Sequence, residues 1–383
     1  MRNKRGLLVW VGIGVLFLGP AALLMTKQRS KLYDRFREDA WALSQPPLAI
    51  PADEGRSVLK DGPIGVVQPF EGLGKVQWVA VAPDGRSALF GNGNSFPQRV
   101  DLQTRKALGS PFGGAQGAAA CFSPDSKRAV VAASWNMVYH FDTTTPSSMP
   151  LIGNMYSQTG QMRSLAVAPN GNTAATGGID RSIWIWNLKT NKELGHLYLP
   201  GAIATSATIH NHAVAYSADG SQLFSAGHDG VLCCWDIRSG NLLYSRAVHD
   251  GRVTSVAFSK GGEYIGIGGE DKIVRVEDIA TRKLVWKFEA QGAVVQQIEF
   301  SRDGRRLLTQ SFDDVALWDI ATGRKLGSIR IQGLGNPRIT NQPIAALHPD
   351  GRHVIVGGDK PGIVTMIAAE ATTKPTPGAS TEP

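Results

Sequence analysis

The sequence predicts an all-β fold, a seven-bladed β-propeller of four-stranded antiparallel blades, preceded by a single N-terminal transmembrane helix. Three observations carry this reading. Short runs of strand-like alternation, separated by turn residues, recur from about residue 62 to 370. One turn recurs seven times at nearly constant spacing. A run of 20 residues without a charge stands near the N-terminus.

The repeating unit is clearest over residues 213–245. Val214 and Tyr216 alternate with small residues, then come Leu223 and Phe224, then Val231 to Trp235, and last Leu242 to Ser245. Asp219-Gly220, Asp229-Gly230 and Ser239-Gly240 separate the runs. Four short strands joined by such turns form an antiparallel meander. One sheet of this size cannot bury its faces alone, so the unit has to repeat.

The first turn of the unit recurs as Pro83-Asp84-Gly85, Pro124-Asp125-Ser126, Pro169-Asn170-Gly171, Ala218-Asp219-Gly220, Lys260-Gly261-Gly262, Arg302-Asp303-Gly304 and Pro349-Asp350-Gly351. The last residues of these turns are 41, 45, 49, 42, 42 and 47 positions apart. A period of about 40 to 45 residues with four strands per unit indicates a propeller. The seventh unit has strand-like runs near 344–347, 353–356 and 363–367 and then enters a polar tail, so it lacks a fourth strand. Residues 65–71 are an orphan run resembling the fourth strands elsewhere. They are expected to supply the outer strand of the last blade and so remove an open edge.

At the end of the third strand the sequence reads Trp235-Asp236 and Trp318-Asp319, relaxed to Trp186-Asn187, Phe141-Asp142, Val100-Asp101 and Glu277-Asp278. With seven registered turns around them, these pairs make residues 62–370 resemble the WD-repeat (Trp-Asp repeat) β-propeller family. The resemblance implies structural roles for Trp186, Trp235, Asp236, Trp318 and Asp319. It also implies a hydrogen-bond network of a His, a Ser/Thr, the Asp of the second turn and the Trp. Asp180, Asp229, Asp271 and His249 match parts of it. The network is fragmentary: the unit beginning at His249 has Glu277 in the Trp position, and the units of Trp186 and Trp235 lack the His. Stability is therefore expected to rest on packing between sheets.

The chain divides into a basic tail (1–5), a transmembrane anchor (6–25), a juxtamembrane helix and Pro-rich linker (26–61), the propeller (62–370) and a disordered tail (371–383). The charge-free run over 6–25 spans about 30 Å as a helix, enough for a bilayer core. It continues past Gly19-Pro20-Ala21, the small residues that a signal peptidase could cleave, which favours an uncleaved anchor. Basic residues flank it on both sides, so the positive-inside rule assigns no side to the propeller. Leu32, Phe36, Ala40 and Leu43 fall at helical spacing on a short amphipathic segment. Residues 1–60 hold 10 Lys/Arg against 5 Asp/Glu, and the rest 30 against 27. The excess positive charge lies mostly ahead of the propeller, which gives no case for nucleic-acid binding.

Cys121, Cys233 and Cys234 make no disulfide framework. Cys233 and Cys234, adjacent on a strand, are expected to face opposite ways. No phosphate loop, GxSxG elbow or HExxH is present. His210, His212 and His228 form the one histidine cluster, without a fourth ligand, and are read as polar rim residues. No metal, cofactor or catalytic residue is expected.

The expected function is that of a membrane-anchored scaffold for protein partners. The alternative is an enzyme or small-ligand binder with its site at the central channel. The candidate partner surface is the second turn of successive units, with Trp135, Ile179, His228, Glu270 and Phe312 next to the turn Asp or Asn. Apolar residues at turn tips are costly and mark partner sites when grouped.

Overall fold

The structure is a computed structural model that describes residues 66–91, 97–109, 117–133, 137–145, 149–156, 162–178, 182–198, 211–290, 293–312, 314–331 and 344–367. Among these residues, 28 strands form seven four-stranded antiparallel sheets. Blades 1 to 6 span residues 78–109, 117–156, 162–198, 211–247, 253–289 and 295–330, each in plain chain order. Blade 7 takes Ala345–Leu347, His353–Val356 and Gly362–Thr365, with Val67–Pro69 as its outer strand. Val67, Gln68 and Pro69 pair with Val364, Ile363 and Gly362. The orphan run thus closes the ring as expected. The first strands of neighbouring blades touch one another in an unbroken cycle, so they line the channel.

The alternating pattern makes each blade apolar on both faces. Seven separate hydrophobic clusters result, one in each gap between neighbouring blades. Each fully buried Leu, Ile or Phe in them contributes about 1.5–3 kcal/mol. Cys233 packs in the gap between blades 3 and 4, Cys234 in that between blades 4 and 5, as adjacent strand residues must. Burial pushes the Cys121 thiol up to about 12, as befits an unreactive filler.

All seven first turns end on a residue in the left-handed region, with φ from 59° at Ser126 to 75° at Gly262. That conformation explains why six of the seven are glycine. The Asp of each Trp-Asp pair ties off the third turn. Asp236 Oδ1 accepts from the Ser239 amide and hydroxyl, both at 2.6 Å, and Asp319 Oδ1 accepts from Thr322 at 2.7 and 2.6 Å.

These third turns also lock neighbouring blades. Arg105 donates to Gln68 on the closing strand, and Asn191 bonds the buried His140. The Arg282 guanidinium stacks 4.2 Å from the Tyr244 ring centre, and Trp286 Nε1 donates to the Ile320 carbonyl at 2.6 Å. In blades 1 to 6 the outer strand bulges at one equivalent place, at Leu108, Ile152, Leu194, Leu243, Val285 and Leu326. A bulge on an edge strand blunts pairing with another sheet.

The connectivity gives the ring two distinct rims. First and third turns lie on one, the first-turn rim. Second turns and the links between blades lie on the other, the second-turn rim. No helix among the described residues is long and apolar enough to cross a membrane. The charge-free run over 6–25, the segment over 26–61 up to residue 65 and the tail over 371–383 lie outside them.

Candidate functional site

Two regions qualify, one on each rim. On the second-turn rim, His228 and Glu270 are exposed at the head of three-residue turns. Asp229 and Asp271 follow them and accept the amides of Val231 and Ile273, each at 3.1 Å. The Asp closes the turn, and its neighbour stands at the exposed surface. Glu270 is engaged by Arg252 at 3.2 Å across its own rim.

Phe312 differs from its supposed equivalents. Ser311 pairs directly with Asp314, so this turn has two residues rather than three. Phe312 occupies the left-handed position, with φ 56°, and is half-buried. In blades 4 and 5 that conformation falls to Gly230 and Lys272. A one-residue deletion is invisible to an alignment made on the Asp. Trp135, Ile179, Asp180, His210 and the side chain of His212 lie outside the described residues.

The structural network is present in halves. Trp186, Trp235 and Trp318 donate through Nε1 to Thr176, Ser225 and Thr309 at 2.9, 2.9 and 2.8 Å. Blade 5 has Ile267 and Glu277 at the corresponding places and keeps the other half. There His249 Nδ1 lies 2.7 Å from Asp271 Oδ1, and Arg275 reaches Asp271 Oδ2 at 3.2 Å. Burial is the largest influence on both groups. It lowers the His249 imidazole, and it would raise the Asp271 carboxyl were it not outweighed by the Ile273 amide, His249 and Arg275, which hold that carboxyl below its usual range. Glu277, in the Trp position, is buried and paired with Arg246 of blade 4.

The second region is the mouth of the channel on the first-turn rim. A cavity of about 210 Å³ opens there, lined by Lys260, Glu299, Arg302, Leu347 and His348, with Val81–Pro83 across it. Glu299 Oε2 accepts the Leu347 amide at 3.0 Å, bridging blades 6 and 7. Burial pushes its carboxyl up to about 7, against the pull of that amide. Burial, and then the charge of Arg302, lower the Lys260 amine. His348 Nε2 meets the Gly85 carbonyl at 3.0 Å, and Asp350 sits between His348 and His353, with Nδ1 to Oδ2 distances of 3.1 and 2.6 Å. In blades 2, 4 and 6 a Ser plays the part of His348: Ser123, Ser217 and Ser301 each donate to the Asp two residues on, at 2.5–2.6 Å. The His348–Asp350 pair is thus a variant of the repeat's own turn closure, and His353 on the second strand adds a second imidazole to the same carboxylate oxygen.

Sequence reasoning passed over this mouth, although a signal was present. The place of Glu299 is taken by Ala80, Cys121, Ala166, Ala215, Ala257 and Ala346 in the other blades. The places of Lys260 and Arg302 are taken by Pro83, Pro124, Pro169, Ala218 and Pro349. Aligning the turns exposes these departures. That they converge on one cavity follows from the ring alone.

Comparison with known proteins agrees with the fold. The WD domain, G-beta repeat model matches residues 150–187, and a model described as outer membrane protein assembly factor BamB matches residues 178–340. Striatin-3 of Bos taurus is 26% identical over 238 residues, covering 59% of this chain and 30% of the relative. The U3 small nucleolar RNA-associated protein 18 homolog of Arabidopsis thaliana is 27% identical over 34% of this chain and 22% of its own length. Small ribosomal subunit protein RACK1y of Oryza sativa subsp. japonica is 35% identical over 91 residues, 22% of this chain and 24% of the relative. The chain therefore spans less than a third of each of these relatives.

Proposed function

We propose that this WD-repeat β-propeller is a membrane-anchored scaffold that binds protein partners through its second-turn rim. The observation that carries the proposal is where the chain enters the ring. Val67–Pro69 runs antiparallel to Gly362–Thr365 as a fourth strand, so it starts at the first-turn rim. A tether formed by the charge-free run over 6–25 joins the ring there and leaves the second turns on the opposite side. Two of their tip residues, His228 and Glu270, stand on turns closed by Asp hydrogen bonds, and Trp135, Ile179 and Phe312 are the further candidates for this surface. Such a surface suits peptide or protein recognition, and the near balance of charge in the propeller gives no footing for nucleic acid. Catalysis plays no part in this reading.

Covalent capture in intact membranes tests it. Photocrosslinkers placed at His228 and Glu270 should trap a protein partner, and the same probe at Asp303 on the first-turn rim should not. Trapping from Asp303 alone would overturn the choice of rim, and a washable, salt-extracted protein would overturn the anchor.

A further inference from the structure

The mouth of the channel on the first-turn rim carries three departures from the repeat, and all three line one cavity. Lys260 and Arg302 stand where the other blades have Pro or Ala, and Glu299 stands where they have Ala or Cys. A repeat that keeps small residues at these places in its other blades has no packing need for three long ionisable ones.

The fold explains how room arises for them. Around the ring, the first strands of blades 6 and 7 touch least. Polar side chains of blade 6 span the gap: Gln310 Oε1 accepts the amides of Ile344 and Ala345 at 2.9 and 3.2 Å, and Glu299 accepts that of Leu347. The cavity opens beside this bridge. Lys260 comes from blade 5, Arg302 and Glu299 from blade 6, His348 from blade 7, and blade 1 offers only Val81, Ala82 and Pro83.

We propose that this cavity is a binding site for a small oxyanion, a carboxylate or phosphate group, held between Lys260 and Arg302. Lys260 and Arg302 share the wall of this cavity, and an oxyanion bound there attracts both charges. Arg presents a planar fork suited to two oxygens, and Lys adds a compact charge. Glu299 in its protonated form donates a hydrogen bond to an oxyanion, and in its ionised form repels it. His348 is tied to Asp350 and Gly85 and serves as wall. At about 210 Å³ the space is below the roughly 300–1,000 Å³ of drug-sized ligand pockets, which favours a single phosphate or a small dicarboxylate over a nucleotide. This site is independent of the scaffold reading, since it lies on the opposite rim.

The test is calorimetric titration of the full-length protein in detergent with inorganic phosphate and with succinate, at fixed ionic strength set by sodium chloride. Saturable binding of one anion per chain is expected, with the preferred probe telling phosphate from carboxylate. Lys260→Ala and Arg302→Ala install the residue that blade 4 carries, Ala218, so they should fold, and each should weaken binding by about tenfold. Lys260→Arg should retain it. With succinate, affinity should fall as pH rises from 6 to 8, and Glu299→Gln should flatten that dependence while still binding. Absence of saturable binding by either probe, or wild-type affinity in both alanine variants, would overturn the site. A pH dependence unchanged by Glu299→Gln would overturn the role given to Glu299.

Discussion

His249 Nδ1 lies 2.7 Å from Asp271 Oδ1, in a blade whose Trp position is filled by the buried Glu277. In blades 3, 4 and 6 the Trp bonds a Ser or Thr, and here the His bonds the Asp. Among the described residues, blades 3 to 6 thus each keep one half of the network, and in blade 5 it is the half that ties the second turn down. Asp271→Asn should cost about 1–3 kcal/mol at pH 7, because Arg275 and the buried His249 then face a neutral amide in place of their shared carboxylate. The Asp271 carboxyl is held below its ordinary range, so its contribution is present above the unfolded value and is lost as pH falls through the folded one. Urea melts should therefore show variant and wild type converging below about pH 4.

Glu299 predicts a pH effect of the opposite sign. Its folded carboxyl titrates near 7, above the value in the unfolded chain. Between the two values the folded state binds the extra proton, so stability falls as pH rises from about 4.5 to 7. Glu299→Gln keeps an acceptor for the Leu347 amide and removes the ionisation. It should raise stability at pH 8 by up to about 3 kcal/mol and leave it nearly unchanged at pH 5. Thermal melts at the two pH values decide this, and an equal effect at both would refute it.

Ring closure draws on the pairs of Val67–Pro69 with blade 7, on the Phe70 amide that donates to the Pro361 carbonyl at 2.9 Å, and on a side-chain clasp from Arg105 to Gln68. Deleting residues 65–70 should expose the edge of blade 7 and lower the melting temperature of the whole propeller. Removing residues 372–383 should change it little. Equal melting of the two truncations would contradict the closure.

Phe312 holds a left-handed backbone that a bulky side chain adopts at a cost of about 1 kcal/mol. Phe312→Asn should leave the melting temperature unchanged or raised, and together with Trp135→Ala it should weaken capture of the partner. A large drop in stability, with capture intact, would make Phe312 a packing residue instead.

The proposed anchor over 6–25 predicts that the full-length chain stays with membranes through salt and carbonate washes, whereas a chain starting near Pro51 is released. A mature protein beginning near Ala22 would mean that the apolar run is a signal peptide.

The sequence by itself determined the seven blades, their order and the strand that closes them. Asp-Gly turns and two-residue alternation are local signals, and the left-handed backbone of the first turns is written into Gly85, Gly171, Gly220, Gly262, Gly304 and Gly351. Asp229 and Asp271 likewise close their second turns through the amide two residues on. Only the tertiary structure decided what crosses between blades. The shortened turn at Phe312 depends on the pairing of Ser311 with Asp314. The clasps of Arg105 on Gln68 and Arg282 on Tyr244 join residues of different blades. Lys260, Glu299 and Arg302 are 39 and 3 positions apart in sequence, yet share a cavity with Leu347 and Val81 because seven inner strands converge on one axis. Turn chemistry acts over four or five residues and can be read from them. Convergence at a channel is a property of the closed ring, and no window of the chain contains it.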